Sequence, residues 1–390
     1  MNRPGKLATH KTTLPGRDLA WLAALLVAAV AIRFWQLGSQ PIWGDEGATV
    51  DFAIAPAELF WGRLLLVEPN PPGYYLLMRG WVSLFGFSDF AIRVPSAIAS
   101  SLAIIPMYLF ALRHWGRSAA IIAATLLVLS GIQVQYAQEA RGYALMGFFF
   151  LAGLYGADSL LRRFEARESA GWATVVLCVC CVGLAYAHFT GLFAIAALFA
   201  FQAIVLLGSD QPIASRARFF ARNSLFVLLL ASPVLAIAIY QLSLPESGVH
   251  WIPHRTLAEA WEIYSIAWGH SFLEGPGRFL ANSVLLGVFL LGLGCATRAR
   301  DAAVFALAVV LLFVAAAFYL MGLVQPILIT RVVIFAIPAV LLVVAFGCSR
   351  LRPRTGWLLG LVLVLLAAYN VGHYVRFFAK ESWDQMVAAV

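Results

Sequence analysis

Two adjacent carboxylates, Asp45 and Glu46, follow the first long apolar run of the sequence. Carboxylates beside a membrane are costly if they sink into lipid, so this pair is expected at the boundary with water. A carboxylate within hydrogen-bond reach of an acceptor hydroxyl can remove its proton as a general base. The pair therefore indicates a general base or a metal ligand, and a solvated loop without chemistry is the simpler alternative.

A second polar cluster, Gln-Glu-Ala-Arg at 138–141, follows the third apolar run and contains Glu139 and Arg141. A guanidinium offers a planar fork of donors that matches phosphate oxygens, although an ion pair capping a helix would explain the same spacing. Arg331 follows Thr330 at the start of a late apolar run, as an interfacial anchor or a ligand of a lipid phosphate. Both arginines are therefore candidates for holding phosphate.

His188 and the stretch Glu68-Pro69-Asn70-Pro71-Pro72 carry weaker signals. A single histidine at the end of an apolar run is more often a packed polar residue than a ligand. Two consecutive prolines force a turn or an extended segment and indicate no chemistry by themselves. The sequence has no Walker motif, no Rossmann glycine pattern and no zinc signature, which argues against nucleotide-driven chemistry.

The elements that position these residues must be membrane helices. Of the 390 residues, 62% are hydrophobic and 12% are charged, with a mean hydropathy of +0.86. Soluble domains carry roughly 45–50% apolar and about 25% charged residues, so lipid must cover much of this surface. The apolar runs are continuous and near the ~20 residues that a spanning helix needs. The sequence predicts an all-α polytopic membrane protein.

The composition also argues against two other kinds of function. The net charge of +8 does not indicate nucleic-acid binding, because the arginines lie in short loops between apolar runs. The five cysteines lie inside or at the end of apolar runs without Cys-x-x-Cys spacing, which predicts packing residues rather than a metal or redox site.

About eleven spans follow from the apolar runs. These runs are 19–37, 91–112, 118–133, 143–161, 171–189, 190–208, 224–243, 279–297, 302–322, 332–348 and 357–374. Five Arg-rich loops and the basic N-terminus hold most of the 27 Lys and Arg residues, and short loops of this kind face the cytoplasm. These six segments share one side only if the amphipathic stretch 72–86 lies on the outer surface.

The predicted organisation has three parts. Residues 1–18 form a cytoplasmic N-terminus, residues 19–374 form the transmembrane domain, and residues 375–390 form a tail on the outer side. The first outer loop, 38–90, is long and contains amphipathic surface helices.

The order of the polar segments resembles a known family. The segments are Asp-Glu after the first span, Pro-Pro-x-Tyr-Tyr, Arg93-Val94-Pro95-Ser96, Gln-Glu-Ala-Arg-x-Tyr, Ala187-His188-Phe189-Thr190-Gly191 and a late Thr-Arg before Pro338. This set resembles the bacterial branch of the C-type glycosyltransferases, similar to the protein O-mannosyltransferases (glycosyltransferase family 39) and the lipid A aminoarabinose transferases. The resemblance extends from about residue 19 to the C-terminus and is closest in 38–146.

The resemblance implies an enzyme that takes a sugar from a polyprenyl-phosphate donor. It implies transfer with inversion to a hydroxyl of a lipid, glycan or protein, on the periplasmic side of a bacterial inner membrane. Asp45 falls on the catalytic base, Glu46 follows it as in much of the family, and Glu139 falls on a second acidic position. Arg331 falls on a late arginine that is expected to contact the carrier phosphate, and Arg141, which matches the Gln-Glu-Ala-Arg pattern, is a candidate for the same purpose.

The remaining implied roles are in substrate binding. Asn70 stands where relatives often carry His or Lys before Pro-Pro, so it offers the phosphate a hydrogen bond without a charge. Tyr74, Tyr143 and His188 are the expected substrate-binding residues. No cofactor is expected, except that a divalent metal on Asp45 and Glu139 is left open. In many relatives residues like Ser382-Trp383-Asp384 lead into a soluble outer domain, which is expected to be missing here.

Three alternatives stay open at this point. A flippase or transporter of lipid-linked sugars would need polar or broken helices at mid-membrane. A lipid-linked glycan polymerase or ligase would share the donor chemistry but use a longer donor. A membrane scaffold would need none of the polar residues for chemistry.

Overall fold

A computed structural model describes residues 14–66, 68–243 and 251–380. Most of the predicted N-terminal segment 1–18 and the Ser382-Trp383-Asp384 stretch lie outside these residues, and so does the connection 244–250. Within the described ranges all regular structure is helical, which confirms the predicted fold class.

Seventeen α-helices follow one another along the described chain, with short 3₁₀ turns before α5 and α16. They are α1 (Gly16–Phe34), α2 (Gly44–Ile54), α3 (Ala57–Leu66), α4 (Pro72–Phe85), α5 (Val94–Leu102), α6 (Ile104–Trp115), α7 (Arg117–Val128), α8 (Gly131–Ala137), α9 (Tyr143–Ala166), α10 (Gly171–Ala187), α11 (Gly191–Leu207), α12 (Ile213–Leu242), α13 (Leu257–Ala267), α14 (Gly275–Ala299), α15 (Ala302–Val324), α16 (Ile337–Ser349) and α17 (Pro353–Phe377).

Each predicted apolar run is helical, but fewer helices are long and apolar enough to cross a membrane. Six meet this condition in the described residues, or seven if the bent pair α7 and α8 forms one span. The helices α10, α11 and α16 are apolar but shorter, and α1 carries Arg17, Asp18 and Arg33 within its 19 residues. The count of about eleven spans therefore stays a prediction.

Helices α7 and α8 meet at a bend of 56°. A break of this kind leaves backbone carbonyls without intrahelical partners. The fully buried guanidinium of Arg33 donates to two of them, Leu127 O at 3.2 Å and Val128 O at 3.3 Å, and also to Ser100 Oγ at 2.7 Å. This arginine thus satisfies the broken helix and ties α1 to it.

The Arg-rich loops meet at one end of the helix bundle. Arg117 pairs with Asp18 at the start of α1, and Asp158 near the end of α9 pairs with Arg113 and Arg162. Three further contacts join the remaining loops to this network. Gln211 donates to Glu165 O, Trp115 donates to the carboxylate of Asp301, and Arg350 pairs with the same carboxylate. The expectation that these loops share one side is consistent with this network.

The segment between α1 and α5 begins and ends at the opposite end of the bundle. Its helices α2 and α4 pack on each other, and α4 is only 14 residues long. One face of α4 buries Tyr74, Tyr75 and Met78, while Leu76 and Leu77 are exposed. The helix α4 is thus amphipathic and is not among the candidate spans, and its location on the outer surface stays a prediction.

Two glycines allow backbones at this end to approach closely. A Cβ on Gly142 would lie 2.4 Å from Ala187 O, and one on Gly73 would lie 2.4 Å from Tyr186 O. Any larger residue must push these backbones apart. The turn before α9 and the start of α4 therefore both lie against the C-terminal end of α10.

We expect Gly142→Ala to lower stability, because its methyl group overlaps the Ala187 carbonyl. Overpacking of this kind costs about 1–3 kcal/mol, which thermal unfolding in detergent would detect. Gly80→Ala is the matched control, since nothing lies within 4 Å of its added methyl. Equal unfolding temperatures of the two variants would contradict the close approach.

Candidate active site

Asp45 lies in the first turn of α2, where the helix dipole favours a negative charge. Its Oδ2 is 3.0 Å from Nη1 of Arg331, and the two side chains are 29% and 17% exposed. The predicted base and the predicted phosphate ligand are therefore direct neighbours, although they come from opposite ends of the sequence.

Aromatic rings surround the guanidinium of Arg331. Its Cζ lies 6.0 Å from the ring centroids of Trp43 and Tyr143 and 5.6 Å from that of Trp251. Rings at this distance attract a cation through their quadrupoles and keep water away from it. Arg331 is thus held in place by its ion pair with Asp45 and by three aromatic rings.

Glu46 faces away from Asp45 into the protein and is completely buried. Arg93 donates to both of its oxygens, from Nε at 2.8 Å and from Nη2 at 2.7 Å. Ala140 N donates to Oε1 at 2.9 Å, and Lys380 Nζ lies 3.1 Å from Oε2. The glutamate thus joins α2 to three other parts of the chain.

These contacts keep Glu46 charged. Burial alone would raise its pKa, but the hydrogen bonds from Arg93 and the charge of Lys380 hold the pKa below its usual value. Arg93 also donates to the carbonyls of Leu37, Gln40 and Pro41 at 2.8–3.0 Å. The pair therefore fixes the loop that leads to Asp45, and Glu46 has no free oxygen with which to contact a substrate.

Glu139 is also buried, but it is poorly satisfied. Its Oε1 accepts from Gln135 Nε2 at 3.1 Å, and its Oε2 has no hydrogen-bond partner among the described residues. Burial raises the pKa of Glu139 to about 7, while Lys380 and Arg331 act in the opposite direction. This carboxyl therefore changes its protonation near neutral pH.

Arg141 contacts the backbone of Asp45 at the start of α2. Its Nη1 lies 3.2 Å from both Asp45 O and the hydroxyl of Tyr75. The neighbouring Tyr74 points elsewhere, to Ser96 Oγ at 3.2 Å, and Ser96 in turn donates to Arg141 O at 3.2 Å. Of the two tyrosines, Tyr75 reaches the guanidinium, whereas the predicted Tyr74 supports its backbone.

His188 and Tyr143 lie side by side, with ring centroids 5.1 Å apart. The Nδ1 of His188 accepts from Thr190 N at 3.1 Å, so the imidazole proton belongs on Nε2. Burial and the charges of Arg141 and Arg331 lower the pKa of His188 to about 3. The histidine is therefore a neutral donor next to the site and not a proton carrier at physiological pH.

Asn70 is linked to the site only indirectly. Its Nδ2 donates to Glu68 Oε1 at 2.6 Å, and its buried Oδ1 has no partner among the described residues. Glu68 interacts in turn with the hydroxyl of Tyr75. Asn70 thus lies behind Tyr75 and Arg141, and its predicted contact with phosphate stays a prediction.

The carboxylates do not form a complete metal site. No group of three or more His, Cys, Asp or Glu residues within the described ranges is arranged to hold a metal ion. Asp45 is paired with Arg331, while Glu46 is taken up by Arg93. A divalent ion held by Asp45 and Glu139 stays an expectation from the sequence.

Several contributors were not predicted as site residues. Arg93 enters only through its Arg-Val-Pro-Ser motif, and the sequence does not single out Lys380, Tyr75, Trp43 or Trp251 as site residues. Only Arg93 has a usable signal, as a charged residue near the start of the apolar run 91–112. The others have ordinary sequence surroundings, and only the fold brings them to the two carboxylates.

Comparison with protein families gives two partial matches. A family model described as dolichyl-phosphate-mannose-protein mannosyltransferase matches residues 69–237. A family of unknown function matches residues 157–323. No curated protein matches the chain by sequence.

Solved structures of other proteins share the arrangement of helices. The chain is similar to apo ArnT from Cupriavidus metallidurans, with a TM-score of 0.62 and 16% identity over 89% of this chain and 63% of that one. It is also similar to the oligosaccharyltransferase AglB from Archaeoglobus fulgidus, with a TM-score of 0.60 and 13% identity over 96% of this chain and 57% of that one. The chain has the C-type glycosyltransferase fold.

This fold agrees with the resemblance expected from the order of the polar segments, which is confirmed. A third similar structure is the arabinofuranosyltransferase AftD from mycobacteria, with a TM-score of 0.58 and 17% identity over 93% of this chain and 27% of that one. The chain thus spans less than two thirds of the length of each of these three proteins.

We expect Glu46→Gln to lower the free energy of unfolding much more than a substitution at the surface does. Breaking a buried ion pair leaves the charge of Arg93 uncompensated and costs about 3–5 kcal/mol. The control is Asp51→Asn, whose pair with Arg63 is about half exposed and is worth roughly 0–1 kcal/mol. Thermal unfolding of both variants in detergent measures the difference, and equal losses would show that the Glu46 pair does not hold the loop.

Proposed function

We propose that the protein is a membrane glycosyltransferase that moves a sugar from a polyprenyl-phosphate donor to an acceptor hydroxyl, with inversion. The observation that carries this proposal is the direct contact of the carboxylate of Asp45 with the guanidinium of Arg331. A base for the incoming hydroxyl and a cation for the leaving phosphate must lie on either side of one reacting carbon. Asp45 and Arg331 supply the two kinds of group, and a donor phosphate that binds Arg331 in place of Asp45 would separate them.

Unsatisfied polar atoms around the pair favour a polar ligand. The buried Nε of Arg331, Nε1 of Trp43 and Oε2 of Glu139 have no hydrogen-bond partner among the described residues. Buried polar groups are rarely left unpaired, because each costs about 1–3 kcal/mol. Two donors and one acceptor beside Asp45 suit a ligand that presents both phosphate oxygens and sugar hydroxyls.

The proposed reaction starts with the donor phosphate on Arg331. The phosphate oxygens replace Asp45 as the partner of this guanidinium, and Arg141 adds a second positive charge nearby. As the bond between the anomeric carbon and the phosphate oxygen breaks, its electron pair stays on the phosphate. Fixed cations stabilise the charge that develops there.

Asp45, released from Arg331, then acts as the general base. It accepts the proton of the acceptor hydroxyl, while the hydroxyl oxygen forms a bond to the anomeric carbon on the face opposite the phosphate. The products are the glycosylated acceptor, the polyprenyl phosphate and a protonated Asp45. One displacement with no covalent intermediate inverts the anomeric carbon.

Glu139 orients a hydroxyl group in this scheme. Its free Oε2 accepts a strong hydrogen bond only when the carboxyl is ionised. Because burial raises the pKa of Glu139 to about 7, the fraction of ionised carboxyl depends on pH in the neutral range. Neutral His188 is available as a donor to the sugar or the acceptor, from the same side as Tyr143.

The similar structures support the class of donor. One ArnT structure is bound to undecaprenyl phosphate, with a TM-score of 0.58 and 16% identity over 88% of this chain and 62% of that one. The AglB structure contains a dolichol phosphate and an inhibitory peptide. By analogy, this chain would use a polyprenyl phosphate carrier, and its acceptor would be a lipid, a glycan or a protein.

The location follows from the two ends of the bundle. The Arg-rich loops lie at one end, and Asp45 lies at the other. If the arginines face the cytoplasm, the site faces the periplasmic side of a bacterial inner membrane, where the donor enters sideways from the lipid. A flippase of lipid-linked sugars or a glycan polymerase would show different products in the assay below.

Asp45→Asn should reduce sugar transfer by at least about 100-fold, because a general base typically contributes 10²–10⁴-fold. The assay uses undecaprenyl-phosphate-linked mannose, glucose and aminoarabinose as donors, with envelope extract from cells that lack the gene as acceptor. Labelled product is identified by mass spectrometry. Asp51→Asn, which changes an exposed carboxylate of the same helix, should keep wild-type turnover.

A binding measurement separates chemistry from donor affinity. Undecaprenyl phosphate should raise the unfolding temperature of the wild type and of Asp45→Asn by similar amounts. The increase should be much smaller for Arg331→Met. Near-normal transfer by Asp45→Asn would remove it from the role of base. Movement of donor across vesicles without covalent transfer would favour the flippase.

The pH dependence of kcat/KM should show a limb near pH 7 that belongs to Glu139. Burial raises its pKa, so protonation below this pH removes the charged acceptor and the rate falls as pH falls. Glu139→Gln should turn over more slowly and lose this limb. If the limb persists unchanged in Glu139→Gln, another group controls it.

A further inference from the structure

Lys380 reaches the buried acidic residues from beyond the end of the last helix. Its Nζ lies 3.1 Å from Glu46 Oε2 and donates to Gln138 O at 2.9 Å, and the residue is only 8% exposed. It is the single lysine within the described ranges. A buried ammonium loses much of its hydration, and specific contacts must compensate for that loss.

The segment that carries Lys380 is fastened on both sides. Gln40 donates from Nε2 to Phe378 O at 3.2 Å and accepts from Lys380 N at 3.1 Å. The hydroxyl of Tyr374, in the last turn of α17, donates to Gln138 Oε1 at 2.8 Å. The lysine is therefore held against the loop before α2 and the turn before α9, and not merely folded back over them.

Glu46 does not need Lys380 for neutralisation. Arg93 already pairs with both carboxylate oxygens at 2.7–2.8 Å. The second cation instead connects this ion pair to the carbonyl of Gln138, next to Glu139. One ammonium group thus links the side chain of Glu46, next to Asp45, to the backbone of Gln138, next to Glu139.

We propose that Lys380 is a positioning residue, which sets the separation and the electrostatic environment of Asp45 and Glu139 through Glu46 and Gln138. This inference rests on the proposed glycosyl transfer, for which both carboxylates must face one donor. Residues 378–380, which follow α17, are then part of the active site.

Glu139 also experiences the charges of several other elements. The charged and titratable groups that face it are Lys380, Glu46, Arg331, Tyr74, Tyr136, Tyr143 and Tyr374. Lys380 is the cation with the largest influence among them, and its charge lowers the pKa of Glu139. Removing that charge must therefore move the titration of Glu139 to higher pH.

The experiment compares Lys380→Met, Lys380→Arg and Arg376→Met with the wild type. Transfer is measured across pH with the undecaprenyl-phosphate-linked sugar that the wild type uses best. Lys380→Met should lower kcat by about 10- to 100-fold, since small displacements of catalytic groups have effects of this order. The KM for the donor should change little, and the limb near pH 7 should move to higher pH.

Lys380→Arg should restore the position of the limb and most of the rate. Arg376→Met removes an exposed charge of the same sign from α17 and should leave both quantities unchanged. A loss of rate in Lys380→Met with an unmoved limb and no rescue by arginine would mean that Lys380 only supports the fold. Wild-type rate and limb in Lys380→Met would overturn the inference.

The two proposals fail in different ways. If Asp45→Asn abolishes transfer but Lys380→Met behaves as wild type, only the role of Lys380 is wrong. If the wild type transfers no sugar, or Asp45→Asn transfers it normally, the proposed function fails and the role of Lys380 fails with it.

Discussion

The contact of Glu46 with Arg93 is the interaction on which the arrangement of the site depends. Both side chains have no exposed surface, and neither charge would be tolerated alone, since isolated buried ions cost several kcal/mol each. Together they hold the loop 37–41, the start of α2 and Ala140 of the turn before α9. The direction in which Asp45 points follows from this pair, although neither residue can touch a substrate.

The two ends of the bundle differ in how they use charge. At one end arginines pair with Asp18, Asp158 and Asp301 in contacts that join neighbouring loops. At the other end Arg331 pairs with Asp45 and Arg141 donates to Asp45 O and the Tyr75 hydroxyl, beside buried polar atoms that have no partner among the described residues. A charged group whose hydrogen-bonding atoms all have partners stabilises the structure, whereas a charged group with an unused donor can still bind a ligand. In this chain the ion pairs that join neighbouring loops and the candidate active site thus lie at opposite ends of the helix bundle.

Much of this organisation could be predicted because lipid imposes it. Apolar runs must be helical, and the alternation of apolar and polar residues in 72–86 predicted the amphipathic helix α4. The number of spans was harder, since α10, α11 and α16 have the composition of a span but are shorter. Composition counts apolar residues, while crossing a membrane depends on the length of the continuous helix.

Individual site residues were predictable by type but not by direction. Asp45 and Arg331 have unusual side chains for their surroundings, and the fold brings them together. Tyr74 and Tyr75 cannot be ranked from the sequence, because successive helical residues point about 100° apart and the rotation of α4 is set by its packing. Lys380 carried no signal, since its contact with Glu46 joins segments from opposite ends of the chain.

The pairing of Asp45 with Arg331 has a kinetic consequence for the proposed reaction. In the absence of donor, the proton acceptor is occupied by the cation meant for phosphate, so an acceptor alcohol or a water molecule arriving first meets a base that is already neutralised. Productive turnover then requires the lipid-linked sugar to bind before its co-substrate, in an ordered sequence. The same occlusion limits wasteful hydrolysis, because the base is released only when a phosphate has taken its place.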